Sequence, residues 1–388
     1  MPYYDREFFL GEDRKGWPKG SPEQRRALRT LDGIRRLRAQ LDRSPDQGGV
    51  PKKNQEDTLL LATWNIREFD SKAHGERSLE PLHYIAEIVS RFDLVAVQEV
   101  RRDLKALKRL MELLGRHWSY LVTDVTEGTP GNRERMAYVF DTRKVTFGGL
   151  ASELVLPPIK VKGKKTLTPA EQLARTPFIC GFQAGWTKFI LATVHILYGD
   201  SKADDPKRIA EIRKLAEFLR ARTLQKTSWS NNLILLGDFN IFRPEDQTMA
   251  ALTDNGFVIP KELERLPTNA PKNKHYDQIA FRVREDRLET TGQAGVFDPF
   301  ESVYRSATAE GHDDDEADYA SEIGEPYHRS GRGKKTKPRT ARGKRTYYRT
   351  HWRTHQLSDH LPMWVELRIN YTDPFLDRLR DKAAGETS

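Results

Sequence analysis

Cysteine is almost absent from this 388-residue chain: Cys180 stands alone, so no intramolecular disulfide can form. It falls in the apolar run Pro177-Phe178-Ile179-Cys180, where a buried and inert thiol is expected. A single cysteine argues against a structural zinc site. No apolar run approaches the length needed to cross a bilayer. Met1 to Leu10 mixes charges with aromatics where a signal peptide needs an apolar core, so a soluble, intracellular, cytoplasmic protein is expected. Hydrophobic residues are also scarce for a compact domain, at 37%, against 31% charged, which suggests a folded body with charged additions. Acids are missing altogether between Glu325 and Asp359.

What is present begins with a net charge of +9, which favours anionic partners: nucleic acid, phosphorylated substrates or an acidic membrane surface. Spread evenly, the same excess would do no more than keep the protein soluble. Residues 1–57 are basic and without strand signal. Ser21-Pro22-Glu23-Gln24 starts a helix, and Leu28, Leu31, Ile34, Leu37 and Leu41 give it an apolar stripe. Such a helix packs on the main body or takes a partner. Gly48-Gly49-Val50-Pro51 then looks like a linker.

The body, residues 58–370, opens with the strand Thr58 to Trp64. Strand-like runs recur at Leu94–Gln98, Met136–Phe140, Phe178–Phe182, Phe189–Val194, Leu233–Leu236, Gln278–Val283 and Met363–Ile369. Helical spacing marks Ile85, Ile88 and Val89, then Leu104 to Leu114, then Ile209 to Leu219 behind Asp205-Pro206. Strands outnumber helices, so the pattern predicts an α/β protein with mixed sheets and outer helices. From about 306 to 355 this pattern breaks into a low-complexity charged insertion. It opens on Asp313-Asp314-Asp315-Glu316. Then Arg329, Arg332, Lys334, Lys335, Lys337, Arg339, Arg342, Lys344, Arg345, Arg349 and Arg353 follow. It reads either as a solvated loop whose halves attract each other or as a phosphate-binding arm beside Ser358-Asp359-His360. Residues 371–388 form a C-terminal tail.

Five of the apolar strands end in groups that bind metal or move protons. Asn65 and Arg67 follow the first, Glu99 the second, His195 the run Thr193-Val194, Asp238 and Asn240 the run Leu233-Ile234-Leu235-Leu236-Gly237. Asp359 and His360 follow Leu357-Ser358, and Asp277 starts a further strand. Residues two apart on extended chain point one way, so Asp238 and Asn240 can address one ligand, or both can cap the next helix. The chemistry such groups serve is phosphodiester hydrolysis. Hard divalent cations take oxygen ligands, as Glu99, Asn65 and Asp359 supply, and two histidines suit two proton transfers. Arg67 and Arg175 can clamp phosphate oxygens.

The ordered set WNIREF, QEVR, ERMAYVFD, RTPF, TVH, LLGDFN, YDQIAF and SDHLP resembles the endonuclease/exonuclease/phosphatase superfamily, most closely its deoxyribonuclease I branch. The resemblance runs from about Leu59 to Ile369 and implies a four-layer α/β/β/α sandwich of two mixed sheets with outer helices. It implies metal-site roles for Asn65 and Glu99, with Asp359 completing the site. Mg²⁺ is the expected ion, with Mn²⁺ or Ca²⁺ as alternatives. It implies His195 as general acid oriented by Glu134, and His360 as general base oriented by Asp277. Asp238 and Asn240 would hold the scissile phosphate and the nucleophile, while Arg67 and Arg175 contact phosphate. Arg67 stands where AP-endonuclease relatives usually carry Asp, as in the deoxyribonuclease I branch. Arg101 matches that branch's minor-groove arginine, or is a plain surface charge. Asn132 replaces the branch's stacking tyrosine, and the secreted enzymes' disulfides are missing.

The expected activity is Mg²⁺-dependent endonuclease cleavage of DNA or RNA with little sequence preference. A phosphatase or phosphodiesterase acting on a lipid or small phosphate is the alternative, and a binding protein that has lost its chemistry would show substituted catalytic positions, of which there are none. DNA or RNA, internal or terminal cleavage, one metal or two, and the oligomeric state all stay open at this point.

Overall fold

The computed structural model describes residues 2–69, 77–126, 133–160, 166–225, 228–283, 288–306, 314–331 and 336–384. Asn132, Asp313, Arg332, Lys334 and Lys335 lie outside the described residues. In chain order the strands are β1 (Thr58–Phe69), β2 (Leu94–Arg101), β3 (Trp118–Val122), β4 (Glu134–Asp141), β5 (Thr146–Glu153), β6 (Phe178–Ala184) and β7 (Thr187–His195). There follow β8 (Leu233–Asp238), β9 (Asp277–Arg282), β10 (Glu289–Val296), the short ribbon β11 (Arg329–Ser330) and β12 (Lys337–Pro338), and β13 (Met363–Arg368). The helices are α1 (Arg6–Leu10), α2 (Pro22–Leu41), α3 (Leu79–Ser90), α4 (Lys105–Leu114), α5 (Pro206–Thr223), α6 (Gln247–Thr253), α7 (Glu316–Ile323), α8 (Glu325–His328), α9 (Ala341–Tyr347), α10 (Arg353–Gln356) and α11 (Thr372–Ala383).

Two large sheets face each other, ordered β10-β13-β1-β2-β4-β3 and β5-β6-β7-β8-β9. Period-two alternation explains the layering. In β1, Leu59 and Leu61 turn to the second sheet's core, whereas Leu60, Ala62 and Trp64 join the core under α2, α3 and α4. α5 and α6 cover the far side of the second sheet, with Ile212, Leu215 and Leu252 fully buried. The result is the four-layer α/β/β/α sandwich. Each sheet holds one parallel pair, β1 with β2 and β7 with β8, joined through α3 and α5; the remaining pairings are antiparallel. Strands β3, β5 and β10 carry no signal in the sequence because they are edges left partly or largely exposed, unlike the buried edge β9. β5 and β10 are largely exposed and broken by Gly148, Gly149 and Gly292, so no alternation survives.

α2 is capped as its sequence requires: the Ser21 side chain accepts from the Gln24 amide at 3.1 Å. Ile34, Leu37 and Leu41 are buried, whereas Leu28 stays exposed. Gly33 is where Tyr84 of α3 comes close; a Cβ there would lie 2.3 Å from its hydroxyl. The 306–355 segment differs from the irregular charged stretch expected. Where described it is mostly helical and buries Tyr319, Tyr327, Tyr347, Tyr348 and Trp352. Average composition hides this cause: aromatics spaced through basic residues pack on the body while the charges face out. The Tyr319 and Tyr84 hydroxyls both donate to Glu80, at 2.6 and 3.0 Å, and Arg29 of α2 closes that group at 2.5 Å. Cys180 is buried and its thiol is pushed up to about 12 by burial. Among the described residues, no helix is long and apolar enough to cross a membrane.

Candidate active site

The topology gathers the predicted residues at one edge of the sandwich. The parallel strands run towards that edge and deliver Asn65, Glu99, His195 and Asp238 near their C-terminal ends. Their antiparallel neighbours β4 and β9 start there with Glu134 and Asp277, and His360 precedes β13. A cleft of about 600 Å³ opens at this edge, lined by Arg67, Glu99, Arg101, Glu134, Arg175, His195, Asp238, Asn240, Asp359 and His360. Asn65 and Asp277 are fully buried beneath it.

Two histidine–carboxylate pairs face each other here. His195 Nδ1 lies 2.9 Å from Glu134 Oε2, and His360 Nδ1 lies 2.8 Å from Asp277 Oδ2. With the Nδ1 proton on the carboxylate side, each Nε2 is left towards the cleft. Both Nε2 atoms approach one oxygen, Asp238 Oδ2, at 3.5 and 3.7 Å. The Asn65 amide donates to that same oxygen and to Glu99 Oε1, both at 3.0 Å. Each pair joins the two sheets, as does the Asn65–Asp238 bond.

Local sequence explains these placements. Gly237 has φ 132°, and a Cβ would sit 2.2 Å from the Val194 carbonyl, so only glycine lets β8 lie this close to β7. Register is lost in β2 between Val97 and Val100, and Glu99 there takes φ 61°, a bulge that turns its carboxylate into the cleft. The Glu68 amide donates to Glu99 Oε2 at 2.7 Å. Asn240 differs from the extended-chain expectation. β8 ends at Asp238, and Asn240 takes φ 53° with its amide on Asp238 Oδ1 at 2.9 Å. Its side-chain amide donates to the Ile196 carbonyl at 2.8 Å, so it braces Asp238 as well as lining the cleft.

Carboxylates crowd this space. Burial raises the Glu99 carboxyl above its ordinary range; His195 opposes that, and the charges of Glu134 and Asp359 add to it. Asp277 is likewise raised by burial, against the charge of His360. Burial and Arg175 oppose a proton on His195, but Glu134 and Asp238 outweigh them and its pKa is raised. Burial opposes His360 too, yet the charges of Asp277 and Asp238 hold its proton well above the ordinary imidazole value. The side-chain amide oxygen of Asn65, Oδ1, is buried without a hydrogen-bond partner among the described residues. An orphaned amide oxygen beside Glu99, with Asp359 near, is an all-oxygen donor set that fits a hard divalent cation. Asp238, Asp277 and His360 also bring three ligand atoms within 4.8 Å of one another. There the His360 nitrogen is already engaged by Asp277, so this group reads as an imidazole clamped between carboxylates.

The arginines divide. Arg67 faces the cleft, held by Thr354 Oγ1 at 2.7 Å and Asp359 at 3.8 Å. Arg101 lines the cleft beside Glu134, its register partner in β4. Arg175, expected to clamp phosphate, lines the cleft and meets Glu134 at 3.2 and 3.3 Å and the His195 carbonyl at 3.5 Å. Its guanidinium is thereby committed to holding the His195 pair. Several functional residues carried no separate signal. Ser358 Oγ donates to the Asn65 carbonyl at 2.5 Å and accepts from the Arg67 and His360 amides at 3.2 and 3.0 Å. Gln98 crosses between the sheets to Thr193 at 2.8 Å. Both lie inside motifs already quoted, yet a serine or glutamine in a motif gives no hint of what it bonds. Tyr276, whose ring lies 5.4 Å from the His360 ring and tilted 32° to it, was also missed.

A family model described as Endonuclease/Exonuclease/phosphatase family matches residues 62–361. A deoxyribonuclease of Thioalkalivibrio sp. (strain K90mix) is 28% identical over 260 residues, 64% of this chain and 64% of that protein. The chain thus spans less than two thirds of that relative's length. Deoxyribonuclease-1 of Bos taurus is 26% identical over 265 residues, 64% of this chain and 85% of the relative. Among solved structures, mannosyl-6-phosphatase Bt3783 of Bacteroides thetaiotaomicron VPI-5482 is 19% identical, with 80% of this chain and 99% of that one covered at TM-score 0.48. D. rerio TDP2 complexed with single strand DNA product is 12% identical, with 80% and 98% covered at TM-score 0.48.

Proposed function

The chain belongs to the endonuclease/exonuclease/phosphatase family, and from that premise we propose that it is a metal-dependent nuclease cutting phosphodiester bonds in DNA or RNA with little sequence preference. The observation that carries this reading is the convergence of two carboxylate-backed imidazoles on Asp238 Oδ2. Hydrolysis of a phosphodiester needs two proton transfers on opposite sides of phosphorus, and this arrangement supplies a group for each. The names of the two deoxyribonuclease relatives and the basic surface support a nucleic-acid substrate.

In this reading His360 Nε2 takes a proton from water as the water oxygen bonds to phosphorus. His195 Nε2 gives its proton to the leaving oxygen as that P–O bond breaks, so one phosphomonoester and one hydroxyl result. Asp277 and Glu134 fix the two rings, and Arg175 fixes Glu134. Asp238, braced by Asn240, holds the nucleophile between the rings. Arg67 and Arg101 contact phosphate oxygens. Glu99, Asn65 and Asp359 would hold Mg²⁺, with Mn²⁺ or Ca²⁺ in the same donor class; such an ion supplies neutralisation of the charge that builds on the phosphoryl oxygens. His360 must be neutral before it acts. The charges of Asp277, Asp238 and Asp359 are what hold its proton.

The test is incubation of the protein with plasmid, single-stranded DNA and RNA, each with Mg²⁺ or EDTA. Metal-dependent cleavage is expected, and His195→Ala and His360→Ala should each remove most of it without loss of fold by circular dichroism. No metal-dependent cleavage of any polymer, or a fully active double variant, would overturn the reading.

A further inference from the structure

The described part of the 306–355 segment lies against the catalytic edge, and the surface between them is a trough. It starts where Tyr276 and Asp359, which line the catalytic cleft, also line a neighbouring hollow of about 370 Å³. That hollow shares Arg349 and Arg353 with a further one of about 670 Å³, which ends at Lys272 and Arg43. The three spaces follow one another without a break in their lining. One wall is the loop before β9, tied to the site by the Ala270 amide on the Asp359 carbonyl at 2.8 Å. The other is the widened helical turn Tyr348–Trp352 and α10. This second wall is joined to the catalytic edge: Thr354 holds Arg67, and the Arg77 guanidinium reaches the His355 carbonyl at 3.1 Å.

Charge in the trough is unevenly balanced. Its carboxylates are already engaged, Asp298 by Lys272 at 2.8 Å, Glu301 by Arg43 at 3.3 Å and Asp359 by Arg67 at 3.8 Å. Arg353 is only 8% exposed and sits 4.3 Å over the Phe300 ring. Its guanidinium donates to the Tyr304 and Arg349 carbonyls, both at 3.2 Å, and no carboxylate among the described residues forms an ion pair with it. Asp298 and Asp314 act on it only without direct contact; a cation taken this far from water without an ion pair is costly, and an anion in the trough offsets that cost. Arg349, one turn earlier, is exposed, and its side chain makes no hydrogen bond or ion pair among the described residues. Two guanidiniums on one face, both lining a space that opens into a phosphodiester cleft, match the spaced charges of a polymer better than a single small phosphate.

We propose that this trough is a distal strand-binding subsite, in which Arg349 and Arg353 hold backbone phosphates of the nucleic-acid strand as it leaves the scissile bond. The proposal rests on the nucleic-acid reading of the catalytic cleft. It makes the charged segment part of substrate binding and predicts a preference for strands long enough to reach from the cleft into the trough.

Binding is measured in EDTA, where no cleavage is expected, by fluorescence anisotropy of an end-labelled single strand of about twelve nucleotides. The full-length protein is compared with Arg349→Ala, Arg349→Glu and, as a charge control on α11 at the opposite end of β13, Arg380→Glu. Arg349→Ala should weaken binding roughly threefold and lower the salt slope by about 0.7; Arg349→Glu should weaken it roughly tenfold. Arg380→Glu should leave binding unchanged. The proposal is overturned if the wild-type protein binds no strand, if both Arg349 variants bind as the wild type does, or if Arg380→Glu weakens binding as much as Arg349→Glu, which would mean bulk charge alone. Cleavage of the same strand with Mg²⁺ reports on the nuclease reading separately, because a protein that cuts but does not need Arg349 refutes only the trough.

Discussion

Replacing Asp277 by asparagine isolates what the His360 pair contributes. Asp277 is fully buried, and its Oδ2 accepts the His360 Nδ1–H at 2.8 Å. Asparagine keeps the shape but removes the charge that stabilises a protonated ring, and its amide can donate where the carboxylate only accepts. Once the amide donates to Nδ1, the ring proton moves to Nε2, and the lone pair that should receive water's proton is lost. General base catalysis contributes about 10²–10⁴ in rate, and a misplaced tautomer forfeits most of it, so kcat should fall by about 10³–10⁴, or about 4–5 kcal/mol of barrier. Folding should not suffer in proportion, because burial already opposes the Asp277 charge. Single-turnover cleavage of a labelled oligonucleotide gives the rate, and urea unfolding gives the stability. The discriminating variant is Asp277→Asn combined with His360→Ala. If Asp277 acts through His360, the double variant is no slower than His360→Ala alone. A further loss of the full Asp277→Asn factor in the double variant would refute the pairing.

His83 makes stability pH-dependent far from the site. Its ring is buried under Tyr4, Phe8 and Phe9, without a hydrogen-bond partner on either nitrogen among the described residues, and burial lowers its pKa from 6.5 to about 4. The folded state therefore refuses a proton that the unfolded chain accepts below 6.5, so the stabilisation is complete above that pH and declines as pH falls towards 4. The whole effect is about 3 kcal/mol, and about 2 kcal/mol of it should be gone by about pH 5. Urea titrations near neutrality and at the lower pH should show this loss for the wild type and a smaller one for His83→Leu; equal losses would refute it. Gly237→Ala should cost more than about 3 kcal/mol and most of the activity, because its Cβ meets the Val194 backbone and the residue sits at positive φ. A wild-type urea midpoint for that variant would show that the close approach of β7 and β8 is not needed.

The sequence made the strand interiors readable because they are buried on both faces, and a run such as Leu233 to Leu236 has few other uses. Edges β5 and β10 were not readable, since a half-exposed strand with glycines looks like a loop. The charged segment misled for the opposite reason: its helices are held by Tyr319, Tyr348 and Trp352, a minority that composition averages away. At the site, residue types and motif order named the groups, but not their partners. The RTPF motif and the charge of Arg175 point to phosphate, and only geometry shows its guanidinium on Glu134. Ser358 shows the same limit, for a hydroxyl that orders three backbone groups looks like any other serine in the chain.

The cross-sheet nature of the pairs has a mechanical consequence. His195 rides on the second sheet and its carboxylate on the first, while His360 precedes a strand of the first and its carboxylate starts one of the second. Sliding one sheet over the other would therefore strain both pairs at once, and neither imidazole can keep its tautomer independently of the other. Gln98 to Thr193 and Asn65 to Asp238 span the same gap, so four polar links fix a spacing that apolar side chains alone would set less sharply. A site whose acid and base must stand on opposite sides of one phosphorus atom gains from this, because the distance between the two Nε2 atoms is set by the depth of the shared core and not by any one loop. It also explains why the motifs come from so many places in the chain: each strand of the two parallel pairs, and each of the antiparallel strands β4, β9 and β13, contributes a residue at or near one end, and all of those ends meet at a single edge.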